Sequence, residues 1–320
     1  MMKFRSEYTP APSALRLDPE RPVTLLGSCF SANIGREMRR SRWEACVNPC
    51  GTLFNPASIR RVLEIAAIDD WEERDRRLAM TIARKDDYYV SMLMDSGFAG
   101  EDFNDCLNFC SNAVEELRGA VGNSQALIVT LGTAWVFSIS GVPDYIVGNC
   151  HKFPAAKFDR RRLSVEDVGK EIELIEKAAR EMNPEIEMIY TVSPVRHLRD
   201  DFHENTLSKA TLQLALEGKE YFPAFEILLD DLRDYRFYAA DLAHPSEEAV
   251  EYIWEKFRLT YLDPRGRELL DEGRALARMY EHRPQIVYGE GVKRFEEMRG
   301  EKARAFESAH PSMIPPVVPE

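Results

Sequence analysis

The stretch "TLLGSCFSANIG" (24–35) runs an apolar segment into a glycine, sets a serine beside a cysteine, and then takes on the pattern of a helix start. A strand ending at Gly27 with a helix opening directly after it leaves Ser28 and Cys29 on a sharp turn. The helix N-terminus there supplies free backbone N–H groups and the positive end of the peptide dipole. Such an environment stabilises an oxyanion and lowers a thiol pKa. Cys29 is therefore a candidate thiolate, and the choice of nucleophile between it and Ser28 stays open at this point.

Working outward, apolar runs of strand length recur at "VTLLG" (23–27), "WEACVN" (43–48), "ALIVTLG" (126–132), "IEMIYTVS" (186–193) and "RFYAAD" (236–241). Helix-periodic segments separate them. In the clearest of these, 164–182, Ser164 is placed to cap and Val165, Val168, Ile172, Ile175 and Ala179 lie on one face. In "SEEAVEYIWEKF" (246–257), Ser246 can cap and two glutamates occupy the first turn. Near-continuous apolar strands alternating with helices predict an α/β fold: a parallel sheet covered on both faces, three layers in all. Two stretches interrupt the alternation. "DDYYVSMLMD" (86–95) reads as a strand pair or flap, and 135–154 as a hairpin turning at Gly141. Insertions of this kind commonly sit over the active edge of such sheets.

The predicted domain organisation is one α/β domain over 1–263, a charged helical extension over 264–310 and a disordered, proline-rich tail over 311–320. The extension is read as a docked element, a homodimer surface or a loosely attached tail.

A formal net charge of −12 across 320 residues argues against a nucleic-acid partner, and the one compact basic run, Arg160, Arg161 and Arg162, reads as a solvated turn. No run approaches the roughly 18 apolar residues of a membrane span, and the N-terminus lacks a signal-like apolar core, so a cytoplasmic protein is expected. Six cysteines in so long a chain are expected as reduced thiols. The pairs Cys46/Cys50 and Cys106/Cys110 carry a weak zinc-like spacing, but the second pair falls in an amphipathic helix pattern with Leu107, Val114 and Leu117. No metal and no cofactor are expected.

In an open parallel sheet, ligands bind at the carboxyl ends of the strands, so chemistry-bearing side chains there are the candidates. "AADLAHPS" (239–246) sets Asp241 three residues before His244, in a loop, ahead of a capped helix. An aspartate so placed can accept the imidazole Nδ1–H while Nε2 faces a nucleophile. "SPVRH" (193–197) places Arg196 at the same edge, either as a clamp for a substrate carboxylate or phosphate or as a partner of Asp200 or Asp201. His197 is an alternative base, and Asn149 and His151, after the inserted hairpin, are candidate pocket residues.

Taken together, "GSCFS" (27–31), "NPCGTLFNP" (48–56), "LGTAWVF" (131–137), "NCHKFP" (149–154), "TVSPVRHLRD" (191–200) and "DLAHPSEEAVEYIWEKF" (241–257) resemble the GSCFA-domain family of bacterial proteins, over residues 5–260. That family in turn resembles the SGNH, or GDSL-type, hydrolases, which implies a flavodoxin-like sheet order. The resemblance puts Gly27 on the GDSL glycine, Ser28 on its aspartate and Cys29 on its nucleophilic serine, with the final D-x-x-H block on Asp241 and His244. Gly51 corresponds to the glycine after the second strand. The G-x-N-D block falls on Gly132, Thr133, Ala134 and Trp135, so its oxyanion-hole asparagine is missing. Backbone N–H groups of Cys29 and Gly51, or a polar group such as Asn55 or Thr133, are the expected substitutes.

The implied activity is hydrolysis or transfer of a small acyl group from an ester or thioester, including an O-acetyl carbohydrate. Two other readings stand: a non-catalytic ligand-binding module that keeps the pocket, and, ranked last, a redox-sensing thiol centred on Cys29.

Overall fold

The structure, a computed structural model, describes residues 5–282 and 288–314. The chain opens with β1 (Val23–Gly27), α1 (Cys29–Arg40), β2 (Ala45–Val47), α2 (Pro56–Ala67) and α3 (Trp71–Ala79). A hairpin of β3 (Ile82–Lys85) and β4 (Tyr88–Ser91) follows, then α4 (Phe103–Asn123) and β5 (Ala126–Leu131). Next come β6 (Trp135–Ile139), β7 (Val142–Val147), β8 (Phe158–Arg162), α5 (Val165–Met182), β9 (Glu187–Val192) and α6 (Phe202–Ala215). A single turn, α7 (Ala224–Glu226), precedes α8 (Glu247–Tyr261), α9 (Pro264–Glu281) and α10 (Glu290–Ala309).

The central sheet has the order β2-β1-β5-β9, and its strands are all parallel. β5 is buried along its whole length because its side chains alternate between two cores. Leu127, Val129 and Leu131 join the helices α2, α4, α5 and α6 on one face. Ala126 and Ile128 join α1, α8 and α9 on the other. This is the three-layer α/β/α arrangement. The chain leaves β1 for β2 on one side and returns to β5 on the other, so the switch point of the sheet lies between β1 and β5, at the turn carrying Ser28 and Cys29.

Local signals act as their residue types dictate. Ser164 and Asp167 cap each other's backbone at the start of α5, and Ser246 caps α8. Val168, Ile172, Ile175 and Ala179 are buried, whereas Val165, in the first turn, is exposed.

Three local expectations are corrected. Residues 236–241 form no strand: a 3-10 turn at Tyr235–Phe237 leads to one isolated bridge, Tyr238 to Pro245. Only Tyr238 of this run is buried, and an apolar run that remains solvated gives a sheet nothing to cover. Arg160, Arg161 and Arg162 are not a turn but part of β8, which adds to β6 to make a three-stranded antiparallel sheet, β7-β6-β8. Their backbone pairs while their side chains stay at the surface, with the Arg160 guanidinium laid over the Trp135 ring at 3.9 Å, as suits an edge strand. Residues 311–314, placed in a disordered tail from the sequence, are docked: Met313 is buried, and the N–H of Ile314 donates to the carbonyl of Arg42 at 3.0 Å. Burial of Met313 supplies the anchoring that a proline-rich segment cannot obtain from regular secondary structure. The rest of that tail, 315–320, lies outside the described residues.

The second inserted hairpin forms as β6 and β7 turning at Gly141, whereas only one strand of the first, β4, lies within 86–95. It pairs with β3, upstream of that stretch, because the chain turns at Asp86 and Asp87 rather than inside the apolar run. The extension packs back on the chain that precedes it. Leu269, Leu270 and Leu276 enter the core beside α1 and α8, and the buried Arg42 guanidinium lies 4.7 Å from the Phe306 ring. Among the described residues, no helix is long and apolar enough to cross a membrane.

Candidate active site

Gly27 ends β1 at φ +133°, and a Cβ on it would lie 2.1 Å from the Thr130 carbonyl oxygen. Only glycine lets β1 approach β5 this closely while turning into α1. Asn48 secures the turn from the other side. Its Oδ1 accepts the Gly27 N–H at 2.9 Å, and its Nδ2 donates to the Ser28 carbonyl at 3.5 Å.

Ser28 is the N-cap of α1. It is 1% exposed, its Oγ accepts the N–H of Phe30 at 3.2 Å, and its own N–H donates to Thr130 O at 3.1 Å. Cys29 is the first helical residue, a half-buried free thiol. The expected thiolate is corrected here. Burial pushes the thiol above its ordinary pKa, although the N–H groups of Cys29 and Phe30 and the Lys209 ammonium pull it down; the Asp241 charge adds to the rise. At rest Cys29 is a thiol that needs a base.

Asp241 and His244 meet as the spacing predicts. The Nδ1 of His244 donates to Asp241 Oδ2 at 2.6 Å, while Asp241 Oδ1 accepts the N–H groups of Ala243 at 2.9 Å and His244 at 3.0 Å. Those two backbone donors and the imidazole hold the carboxyl well below the usual carboxylate range. One carboxylate thus builds the turn and fixes the ring, leaving Nε2 free to accept a proton. Leu242, between them, takes φ +57°, an uncommon left-handed conformation for a branched side chain.

His197 lies at the same edge. Burial, aided by the Lys209 charge, depresses it to about 4, so its imidazole is neutral, and it packs edge-on to Phe54 with ring centroids 5.7 Å apart. The charge of His244 also acts on it, which puts the two histidines in one neighbourhood. Arg196 does not pair with Asp200 or Asp201. Asp200 pairs with Arg160, and Asp201 caps α6. The Arg196 guanidinium instead stacks 4.5 Å from the Tyr238 ring, and the backbone N–H of Arg196 donates to Ala243 O at 3.1 Å, tying its loop to that of His244.

The remaining expected residues hold the frame. Gly51 N–H donates to Asn48 O at 2.8 Å, so it is not a free oxyanion donor, and a Cβ on Gly51 would collide with the Asp95 carboxylate. Thr133 is occupied with the hydroxyl of Ser208 and the N–H of Trp135, and the N–H groups of Gly132 and Thr133 both donate to Phe54 O. Asn55 caps α2 through Oδ1. Asn149 and His151 belong to the hairpin neighbourhood: Asn149 Oδ1 accepts the His151 N–H, and the His151 ring bonds to Ser91 O at 2.7 Å and to the Ser96 hydroxyl at 3.2 Å. Among the described residues, the Cys29 N–H has no protein acceptor and remains available.

Sequence reasoning missed Lys209, on α6. It is 1% exposed, and its Nζ donates to Gly132 O at 2.6 Å and Ser193 O at 2.7 Å, beyond the ends of β5 and β9. The signal was present. Leu212 and Leu216 lie three and seven residues further on, so Lys209 occupies the inward stripe of its helix.

No curated protein sequence matches the chain. A family model described as the GSCFA family matches residues 22–257, from the residue before β1 into α8, a span that contains the whole parallel sheet together with Cys29, Lys209, Asp241 and His244. With most of its length covered by that match, the chain belongs to the GSCFA family.

Proposed function

We propose that the protein is an SGNH-like acyl hydrolase or acyltransferase that uses a Cys29–His244–Asp241 triad. The observation that carries this reading is the Asp241–His244 pair, held at 2.6 Å with no partner for Nε2 among the described residues, and with the Asp241 charge acting on the Cys29 thiol. In the reaction, His244 Nε2 takes the thiol proton and Cys29 Sγ attacks the acyl carbonyl. The resulting oxyanion takes a hydrogen bond from the Cys29 N–H. Collapse expels the alcohol or thiol, which leaves with the proton from His244. Water then hydrolyses the thioester, or an acceptor hydroxyl takes the acyl group. A raised thiol pKa favours this general-base route over a standing thiolate.

Ser28 fits a different role, because its oxygen already caps the helix. Asn55 supports the oxyanion site, since its Nδ2 is not engaged by the capping bond that occupies Oδ1. Among the described residues, Arg196 has no carboxylate partner, which suits a carboxylate or phosphate on the substrate. The likeness to SGNH hydrolases suggests a small acyl ester, such as an O-acetyl carbohydrate. The second reading, a non-catalytic binding module, draws on the backbone N–H groups of Gly51, Gly132 and Thr133, all of which have internal acceptors.

Incubation with p-nitrophenyl acetate, acid quench and peptide mapping separates the two. The proposal expects an acetyl adduct on Cys29 that forms at least tenfold more slowly in His244→Ala and is absent in Cys29→Ala. An unmodified Cys29 would favour the binding module, and an adduct on Ser28 would reassign the nucleophile.

A further inference from the structure

Arg196 is held both at its backbone and at its guanidinium. The backbone N–H donates to Ala243 O at 3.1 Å, next to His244, and the guanidinium lies 4.5 Å from the centre of the Tyr238 ring and 5.6 Å from that of Tyr235. Tyr238 belongs to the His244 loop, since it bridges Pro245 and the next N–H, that of Ala239, donates to His244 O at 2.8 Å. A guanidinium over aromatic faces spends none of its five donors on them, so the planar fork stays available to a carboxylate. The carboxylates nearest in sequence are taken: Asp200 pairs with Arg160 and Asp201 caps α6.

The surface beside this fork is apolar. Tyr235 is 63% exposed, Leu242, between Asp241 and His244, is 49% exposed, and Phe54, edge-on to His197, is 36% exposed. Three segments distant in sequence thus leave large side chains in water around the loops that carry Arg196 and His244. Folding does not cover them, and a ligand with an apolar face would.

We propose that Arg196 and Tyr235 form a subsite for an acidic sugar, with the carboxylate of a uronate on the Arg196 fork and the C–H face of its ring on Tyr235. The substrate of the acyl-transfer reading is then an O-acylated uronate. The inference deepens that reading and rests on it for the reaction, though not for the binding. A sugar fits a half-open aromatic site because one face of its ring is C–H while its hydroxyls stay in water. A carboxylate fits better than a phosphate, because the Asp241 charge on the adjoining loop repels a dianion more than a monoanion. In a chain of net charge −12, an anionic ligand is held only where a local cation outweighs the overall field, and Arg196 supplies that cation.

Binding of deacylated sugars to the full chain at pH 7, followed by calorimetry and ligand-observed NMR, tests this without any turnover. The probes are methyl glucuronoside and methyl galacturonoside, the uncharged methyl ester of each, and acetate. Wild type is expected to bind at least one uronate about tenfold more tightly than its ester. Arg196→Gln should bind acid and ester alike, whereas Tyr235→Ala should weaken both about fivefold and keep the preference. Equal affinity of wild type for acid and ester, or binding of neither, overturns the subsite, and this comparison needs no variant to fold. A preference that survives in folded Arg196→Gln overturns the role of Arg196. Acetate that displaces the uronate at equal concentration overturns the sugar assignment. A preference that depends on Arg196 without any acetyl adduct on Cys29 would leave the subsite standing and defeat only the acyl-transfer reading, while an adduct without the preference would defeat only the subsite.

Discussion

The Asp241 carboxylate holds His244 twice, at 2.6 Å through the ring Nδ1 and at 3.0 Å through the backbone N–H. In Asp241→Asn the Oδ1 atom remains to accept the turn donors, so the loop should persist while the ring loses its anionic partner. Thermal stability should stay close to that of wild type, whereas acylation of Cys29 should fall by about 10⁴-fold, as expected for a triad whose orienting carboxylate is removed. An unchanged burst of nitrophenolate in this variant would remove Asp241 from the triad.

Ser28→Ala deletes the oxygen that caps α1. The expected cost is about 1 kcal/mol in denaturant unfolding, with the acetyl adduct still on Cys29. Loss of the adduct in a folded protein would return Ser28 to the chemistry.

Gly27→Ala forces a methyl to within 2.1 Å of Thr130 O at φ +133°. The expected destabilisation is about 3 kcal/mol or more, seen as a lowered midpoint in urea, because the obstructing atom is backbone in a central strand. Stability within 1 kcal/mol of wild type would contradict the close approach of β1 and β5.

His197 titrates at about 4 in the folded chain and, on exposure, near its ordinary value of about 6.5. Between those values the unfolded chain holds a proton that the folded chain lacks. Stability from this group is therefore complete above about pH 6.5 and falls as the pH drops toward about 4, by about 3 kcal/mol in total. Urea unfolding of wild type and His197→Gln at pH 7 and pH 4.5 should show a smaller acid loss in the variant. Equal losses would mean that His197 is not buried as a neutral ring.

Much of the frame was legible because it depends on neighbours in the chain. The apolar runs of β1, β5 and β9, the caps at Ser164 and Ser246, and the turn from Gly27 into α1 follow from spacing over a few residues. The Asp241–His244 pair belongs to the same class, since three residues in one turn can reach each other whatever surrounds them. Where the local pattern misled, tertiary burial was missing or unexpected. Residues 236–241 had strand composition but no sheet face to cover, and Met313 found a core despite its proline-rich surroundings.

By itself, then, the sequence determined the layered α/β class, the turn from Gly27 into Cys29 and the Asp241–His244 pair, through periodicity and short-range geometry. The tertiary structure alone decided how the shared edge is populated. It placed Lys209 behind the ends of β5 and β9, gave the N–H of Gly51 to Asn48, drew His151 to the hairpin and left Arg196 without a carboxylate among the described residues. The physical reason is that these contacts join segments tens of residues apart. Their energies depend on desolvation and on which partners lie within reach, and both are set by sheet order and packing rather than by any local pattern.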